Sequence, residues 1–154
     1  MPSDGQDPRN GRQYRILDEI ALADLAFEAS GGSPSELFLA AARAVIETMV
    51  NPATVRPSWQ HRVERQAPDL PSLLFDWLSD IVFLKDAKGV VFHEATVTVA
   101  CIEQGAWLLQ GQLTGEPIDS TRHELRADVK AVTKHLYEVS EKDGRWVARV
   151  VLDI

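Results

Sequence analysis

The sequence has a single cysteine, no long apolar run and fewer basic than acidic side chains. One cysteine cannot form an internal disulfide, which fits a reducing compartment. No apolar run approaches the roughly 20 residues that a membrane-spanning helix needs. The 16 Lys and Arg against 23 Asp and Glu leave a formal net charge of −7. This charge argues against sequence-independent binding to nucleic acid, whereas a protein partner with a basic surface is easier to accommodate.

The common catalytic and metal-binding motifs are also missing. The chain has no glycine-rich phosphate loop, no His-Glu-x-x-His, no Cys/His cluster and no Gly-x-Ser-x-Gly elbow. Cys101 lies in a predicted strand beside apolar neighbours, and we expect it to be a small core residue. Motifs alone therefore assign no enzyme class.

What is present is the composition of a folded domain. The chain has 154 residues, of which 45% are hydrophobic and 25% charged, enough to bury a core. We expect residues 1–12 to form a flexible, polar tail that is unlike a signal peptide. We expect residues 13–154 to form a single domain of a cytoplasmic protein.

Two segments have the pattern of amphipathic helices. The first begins at the N-cap Ser33 and runs to about Val50. The second begins after the N-cap Asp69, carries apolar residues at helical spacing and ends at Gly89. Both helices therefore have one apolar face to bury against another layer.

The remaining segments have the pattern of strands. The fold class predicted from this arrangement is α+β, a two-layer sandwich of two helices packed on a mainly antiparallel sheet of about six strands. The predicted strands are residues 22–29, 54–65, 90–102, 107–114, 125–139 and 146–152.

The segment 119–133 holds an unusual concentration of polar groups. A loop with His123 precedes a predicted strand that carries Asp128 and Lys130. Residues two positions apart on a strand point to the same face, so an acid and a base would share a face near a histidine. The alternatives are an ion pair on a solvated face and a loop histidine without a role.

Two further acids lie near the ends of the predicted domain. Asp24 is in the first long strand, and Asp153 is the penultimate residue. If these strands are neighbours, as chain ends often are, the two carboxylates and the terminal carboxylate of Ile154 would meet. Oxygen ligands of this type suit Ca²⁺ or Mg²⁺, and the alternative is a pair of separately solvated acids.

Four segments resemble the archease family, whose members assist the RtcB-type RNA-splicing ligase. The resemblance covers residues 14 to 154 in the right order and spacing. The segments are Ala23-Asp24 with the apolar strand after it, the tryptophan-containing LLFDWLSDIVFL at 73–84, Arg122-His123 with the block DVKAVT at 128–133, and the ending Val151-Leu152-Asp153-Ile154.

The resemblance implies an accessory activator and not an enzyme. It implies that the protein promotes guanylylation of the ligase's active-site histidine and supports multiple turnover in tRNA splicing and RNA repair. The family's metal site corresponds to Asp24, Asp153 and Ile154, which implies a divalent cation, Ca or Mg/Mn. Its important lysine corresponds to Lys130, with Asp128 and His123 in the same block. The implied partner is the ligase. GTP and RNA are contacted only indirectly, through the ligase, and no membrane is involved.

The chain departs from the family at one place. Ala21-Leu22 stands where the family usually has His-Thr, so Asp24 lacks these polar neighbours and its use of metal is expected to differ. Two other functions stay open: a small nucleotide-acting enzyme with Asp128, Lys130 and His123 as acid and base groups, and a metal-free chaperone-like binding module.

Overall fold

The computed structural model of the chain describes residues 14–17 and 24–154. The predicted tail at residues 1–12 and the departure at Ala21-Leu22 lie outside these ranges. The elements of the described residues are β1 (Tyr14–Leu17), β2 (Asp24–Gly31), α1 (Pro34–Met49), β3 (Trp59–Ala67), α2 (Leu70–Lys88), β4 (Val90–Cys101), β5 (Trp107–Pro117), β6 (Ala131–Lys142) and β7 (Arg145–Asp153), with short 3₁₀ turns at Pro52–Thr54 and Glu103–Gly105.

The predicted α+β class is confirmed, with two helices packed on antiparallel strands. The strands form two sheets instead of one, in the orders β1-β2-β7-β6 and β3-β5-β4. The described residues contain one strand more than the six predicted, and that strand is β1. It was not predicted because its four residues are too few to show an alternating pattern. Neither helix in the described ranges combines the length and apolar character that crossing a membrane requires.

Both helices begin where local capping chemistry predicts. The Ser33 hydroxyl accepts a hydrogen bond from the backbone N–H of Glu36, and the Asp69 carboxylate accepts one from Ser72 N–H. These bonds satisfy donors that have no partner inside a helix. Gly89 ends α2 with a φ of 62°, a left-handed conformation that glycine adopts without steric cost.

The core lies between the helices and the inner faces of both sheets. Trp77 of α2 is fully buried, and its indole N–H donates to Phe38 O of α1 at 3.2 Å. Gly111 of β5 leaves room for this ring, because a Cβ there would lie 2.9 Å from the Trp77 ring atoms. Through these contacts Trp77 of α2 joins both helices and one sheet. Burying one such side chain stabilises the fold by on the order of 2–3 kcal/mol.

Two strand predictions and one burial prediction are corrected by the structure. The strand expected at 125–139 begins only at Ala131, because the preceding residues bond to α1 instead of to a sheet. The strand expected at 54–65 begins at Trp59, after a 3₁₀ turn and Pro57. Cys101 is exposed and not in the core, since it is the last residue of β4, beside an exposed turn.

Strand β6 is an edge strand with a bulge. Its pairing with β7 runs from Ala131 to Thr133, shifts, and resumes at Glu138. Inside the bulge, Leu136 has a φ of 54°, which is uncommon for a residue with a side chain. The hairpin turn after β6 also has positive φ at Asp143 and Gly144, as an Asp-Gly turn requires.

Gly115 provides a test of the close packing between β4 and β5. A Cβ at this position would overlap the carbonyl oxygen of Val91, which belongs to the backbone and cannot rotate away. We expect Gly115→Ala to lower the free energy of unfolding by about 1–3 kcal/mol or more, measured by urea denaturation. Gly32→Ala is the control, since its Cβ would meet nothing closer than 3.5 Å. Equal stability of the two variants would contradict the packing argument.

Candidate functional site

Three strands meet at one end of the four-stranded sheet. Strand β2 begins at Asp24, β7 ends at Asp153, and the two residues are direct partners in the antiparallel register. Ala131, the first residue of β6, pairs with Asp153 from the other side. The prediction that the first long strand and the last strand are neighbours is therefore confirmed. Both carboxylates are half-buried, and so is Ile154, whose side chain packs against the core.

The pairing of Asp24 with Asp153 places two acids on one face of the sheet. Directly opposite residues have Cβ atoms about 4.5–5.5 Å apart, and like charges in such a pair destabilise it. A positive charge at this end of the sheet would offset the repulsion. The register therefore brings two like charges together at this end of the sheet.

Lys130 lies next to this pair. Its backbone N–H donates to Asp153 O at 2.8 Å, and its side chain is exposed. Among residues 14–17 and 24–154, the Lys130 ammonium has no hydrogen-bond or ion-pair partner. Lys130 thus carries an exposed positive charge on a segment whose backbone is bonded to one member of the acidic pair.

Asp128 does not share a strand face with Lys130, because both residues precede β6. Its carboxylate instead accepts a hydrogen bond from Lys85 Nζ of α2 at 2.8 Å. The same ammonium donates to Val129 O at 2.7 Å. The hydrogen bond from Lys85, followed by its charge, lowers the pKa of Asp128. The ion pair weighed as an alternative for Asp128 therefore exists, with a helix residue as its partner.

Sequence analysis overlooked Lys85. The residue continues the apolar stripe of α2, four positions after Ile81 and three after Val82, and its side chain is only 12% exposed. Burial lowers the pKa of Lys85, but hydrogen bonds to Asp128 and Asp86 outweigh it and leave the pKa raised. A lysine at a core position of an amphipathic helix is the signal that would have identified it, because a buried ammonium requires partners.

His123 belongs to a second, buried cluster around Glu116 at the end of β5. The Glu116 carboxylate accepts two hydrogen bonds from Arg122, at 2.8 and 2.7 Å, and one from Arg56 N–H at 2.8 Å. His123 Nε2 lies 2.8 Å from the same carboxylate. Since His123 Nδ1 accepts from Asp119 N–H, the proton is on Nε2 and points at Glu116.

The three groups proposed from sequence as an acid–base set are therefore not brought together. His123 has a side chain with no exposure, and both its nitrogens have partners within the loop and β5. Asp128 is bound to Lys85. Among the residues that the structure describes, the ammonium of Lys130 is the one of the three groups without a hydrogen-bond or ion-pair partner. Glu116 is a second residue that sequence analysis overlooked, because its partners are assembled only by the folded loop.

The residues described by the structure contain no group of three His, Cys, Asp or Glu side chains arranged to hold a metal. The predicted donor set has two such side chains, Asp24 and Asp153, with an oxygen of Ile154 as the third donor. Metal binding by these three residues stays a prediction.

Comparison with known proteins identifies the family of the chain. Residues 14–154 match the model of the Archease protein family (MTH1598/TM1083). The chain is 37% identical to Protein archease of Methanopyrus kandleri, covering 86% of this chain and 94% of that one. It is 38% identical to Protein archease of Methanothermobacter thermautotrophicus, covering 86% and 93%. The chain belongs to the Archease family, and the resemblance drawn from its four segments is confirmed.

Two solved structures share the fold. The solution structure of Methanobacterium thermoautotrophicum protein 1598 superposes with a TM-score of 0.77 at 34% identity, covering 92% of this chain and 99% of that one. The crystal structure of a Thermotoga maritima protein, described as an archease, possible chaperone, gives a TM-score of 0.55 at 20% identity, covering 90% and 97%. The second similarity supports the fold alone.

The Glu116 cluster predicts a defined loss of stability in acid. Hydrogen bonds from Arg122, then from His123 and Arg56 N–H, hold the pKa of Glu116 far below its ordinary value of 4.5. Because the folded pKa is depressed, the stabilisation is complete above the unfolded value and is lost as pH falls toward the folded one. We expect wild-type protein to be more stable than Glu116→Gln near neutral pH, with the difference shrinking below about pH 4.5.

The measurement is urea denaturation of both proteins at a series of pH values between about 7 and 3. Glu103→Gln removes the same charge from an exposed turn and controls for net charge. A wild-type advantage over Glu116→Gln that stays constant across this range would contradict the role given to the carboxylate.

Proposed function

We propose that this chain is a cytoplasmic accessory protein that activates an RtcB-type RNA ligase. It promotes guanylylation of the ligase and multiple turnover in tRNA splicing and RNA repair, and it has no substrate of its own. Membership of the Archease family supports this function. The observation that carries it is the register that pairs Asp24 with Asp153, together with the hydrogen bond that ties the backbone of Lys130, whose side chain is exposed, to Asp153.

In this proposal the end of the sheet docks at the nucleotide pocket of the ligase. Guanylylation joins the ligase histidine to the α-phosphate of GTP and releases pyrophosphate, so negative charge on phosphate oxygens must be stabilised during the transfer. Lys130 supplies an ammonium for that purpose. The formal net charge of −7 favours approach to a basic surface on the ligase.

The acidic pair fits a divalent cation of the hard type, Ca²⁺, Mg²⁺ or Mn²⁺. The carboxylates of Asp24 and Asp153 face the same side of the sheet, and Ile154 adds a neighbouring oxygen. All these donors are oxygens, which such cations prefer. A bound cation would add positive charge next to Lys130, while Asp24 and Asp153 would orient it.

The two other functions receive less support. A nucleotide-acting enzyme would need acid and base groups free to exchange protons, but His123 and Asp128 are engaged with Glu116 and Lys85. A metal-free binding module would give no reason for opposing two acids at the Asp24–Asp153 pair. The ligase activator uses the acidic pair and the free lysine together.

Removing the Lys130 ammonium tests the proposal directly. We expect Lys130→Ala to reduce the stimulated rate of ligase guanylylation by about tenfold or more, as is typical for loss of a charge-stabilising donor. The assay measures the ligase–guanylate adduct over time with the ligase from the same source. Lys142→Ala, at the far end of β6, is the matched control and should stimulate like wild type. Full stimulation by Lys130→Ala would refute the proposal.

The cation site is tested by calorimetric titration with Ca²⁺, Mg²⁺ and Mn²⁺ in turn. We expect Asp24→Asn to weaken binding of the preferred ion by about tenfold or more. The substitution removes one negative charge from a site that has few oxygen ligands. Asp143→Asn, in the exposed hairpin turn, removes the same charge elsewhere. Equal affinities for the two variants, or no binding by the wild type, would exclude this site.

A further inference from the structure

The residues just before β6 are tied by their backbone to the rest of the fold at two places. Arg126 and Ala127 N–H groups bond to carbonyls of α1, and Lys130 N–H bonds to Asp153 O. Between these two attachments lie Asp128 and Val129, whose polar groups are held by Lys85. The side chain of Val129 is buried, but a buried methyl group does not set the direction of the backbone carbonyl.

Lys85 reaches this segment from α2. Its ammonium donates to Asp128 Oδ1 at 2.8 Å and to Val129 O at 2.7 Å, and it lies 3.0 Å from Asp86 Oδ1. One ammonium thus binds the side chain of one residue and the backbone of the next. The residue after these two is Lys130.

The cost of burying a charge shows that Lys85 does more than fill space. An apolar side chain of similar length would fit a mostly buried helix position without a desolvation penalty. The ammonium at 85 is stabilised by its contacts with Asp128 and Val129, and these contacts are directional. They orient the segment instead of only covering the core.

We infer that Lys85 is a positioning residue, which fixes residues 128–129 and so keeps the backbone of Lys130 at Asp153, the member of the acidic pair to which its N–H bonds. Its effect on ligase stimulation rests on the proposed function, whereas its effect on the position of Lys130 does not. Lys85 does not contact the acidic pair, and we do not expect it to contact the ligase. It acts on Lys130 through the backbone of residues 128 and 129.

The first experiment uses the protein without the ligase. Amide hydrogen exchange is followed by NMR for wild type, Lys85→Met, Lys85→Arg and Lys88→Met, the last being an exposed lysine one turn further along α2. We expect exchange at Lys130 N–H to accelerate by about tenfold or more in Lys85→Met, the factor for losing one charged hydrogen bond. Exchange in the core of α1 should be unchanged, Lys85→Arg should stay near wild type, and Lys88→Met should not differ from it.

The second experiment measures guanylylation of the ligase over a range of concentrations of each variant. We expect Lys85→Met to require several-fold more protein for half-maximal stimulation and Lys85→Arg to recover most of the loss, because arginine keeps the charge and its donors. A general loss of packing would not be recovered by the charge-conserving variant.

The outcomes separate the inference from the proposed function. Unchanged exchange at Lys130 N–H in Lys85→Met, or acceleration spread equally through α1, overturns the inference whatever the ligase does. Normal stimulation by Lys85→Met, where Lys130→Ala is defective, overturns its functional part. If Lys130→Ala stimulates normally, the proposed function fails, while the exchange data still decide whether Lys85 positions residue 130.

Discussion

The last turn of α1 needs backbone donors, and the loop between β5 and β6 supplies them. Arg126 and Ala127 donate to carbonyls of Met49 and Thr48, groups that a helix leaves without internal partners. A backbone that bonds to a helix end cannot also pair in a sheet. This constraint delays the start of β6 to Ala131. Asp128 and Val129, between the bonds to α1 and the bond from Lys130 to Asp153, are held by the Lys85 side chain.

Two charges that are taken out of solvent hold the ends of that loop. Glu116 holds its first half through Arg122 and His123, and Lys85 holds its last residues. Each charge is costly to bury alone and favourable only with its partners in place. The loop is therefore held at both ends by side-chain hydrogen bonds, although it lacks regular secondary structure.

The sequence was sufficient for those parts of the structure that depend on neighbours along the chain. The helix starts at Ser33 and Asp69 follow from capping bonds that span three residues. The pairing of the first long strand with the last strand agrees with the tendency of chain ends to lie close together. The start of β6 depends on α1, some eighty residues earlier, so the alternating pattern of residues 125–130 was misleading. The partnership of Lys85 with Asp128 is also non-local. The bonds of Glu116 to Arg122 and His123 join residues close in sequence, but they form only when the loop folds back on β5.

The bulge in β6 has a consequence for assembly. A regular edge strand offers a continuous row of unpaired backbone groups to which a strand of another molecule can add. In β6 the register breaks between Thr133 and Glu138, with Leu136 in a left-handed conformation, so an added strand would find only two short, misaligned runs. This edge of the sheet therefore resists open-ended growth by addition of further strands.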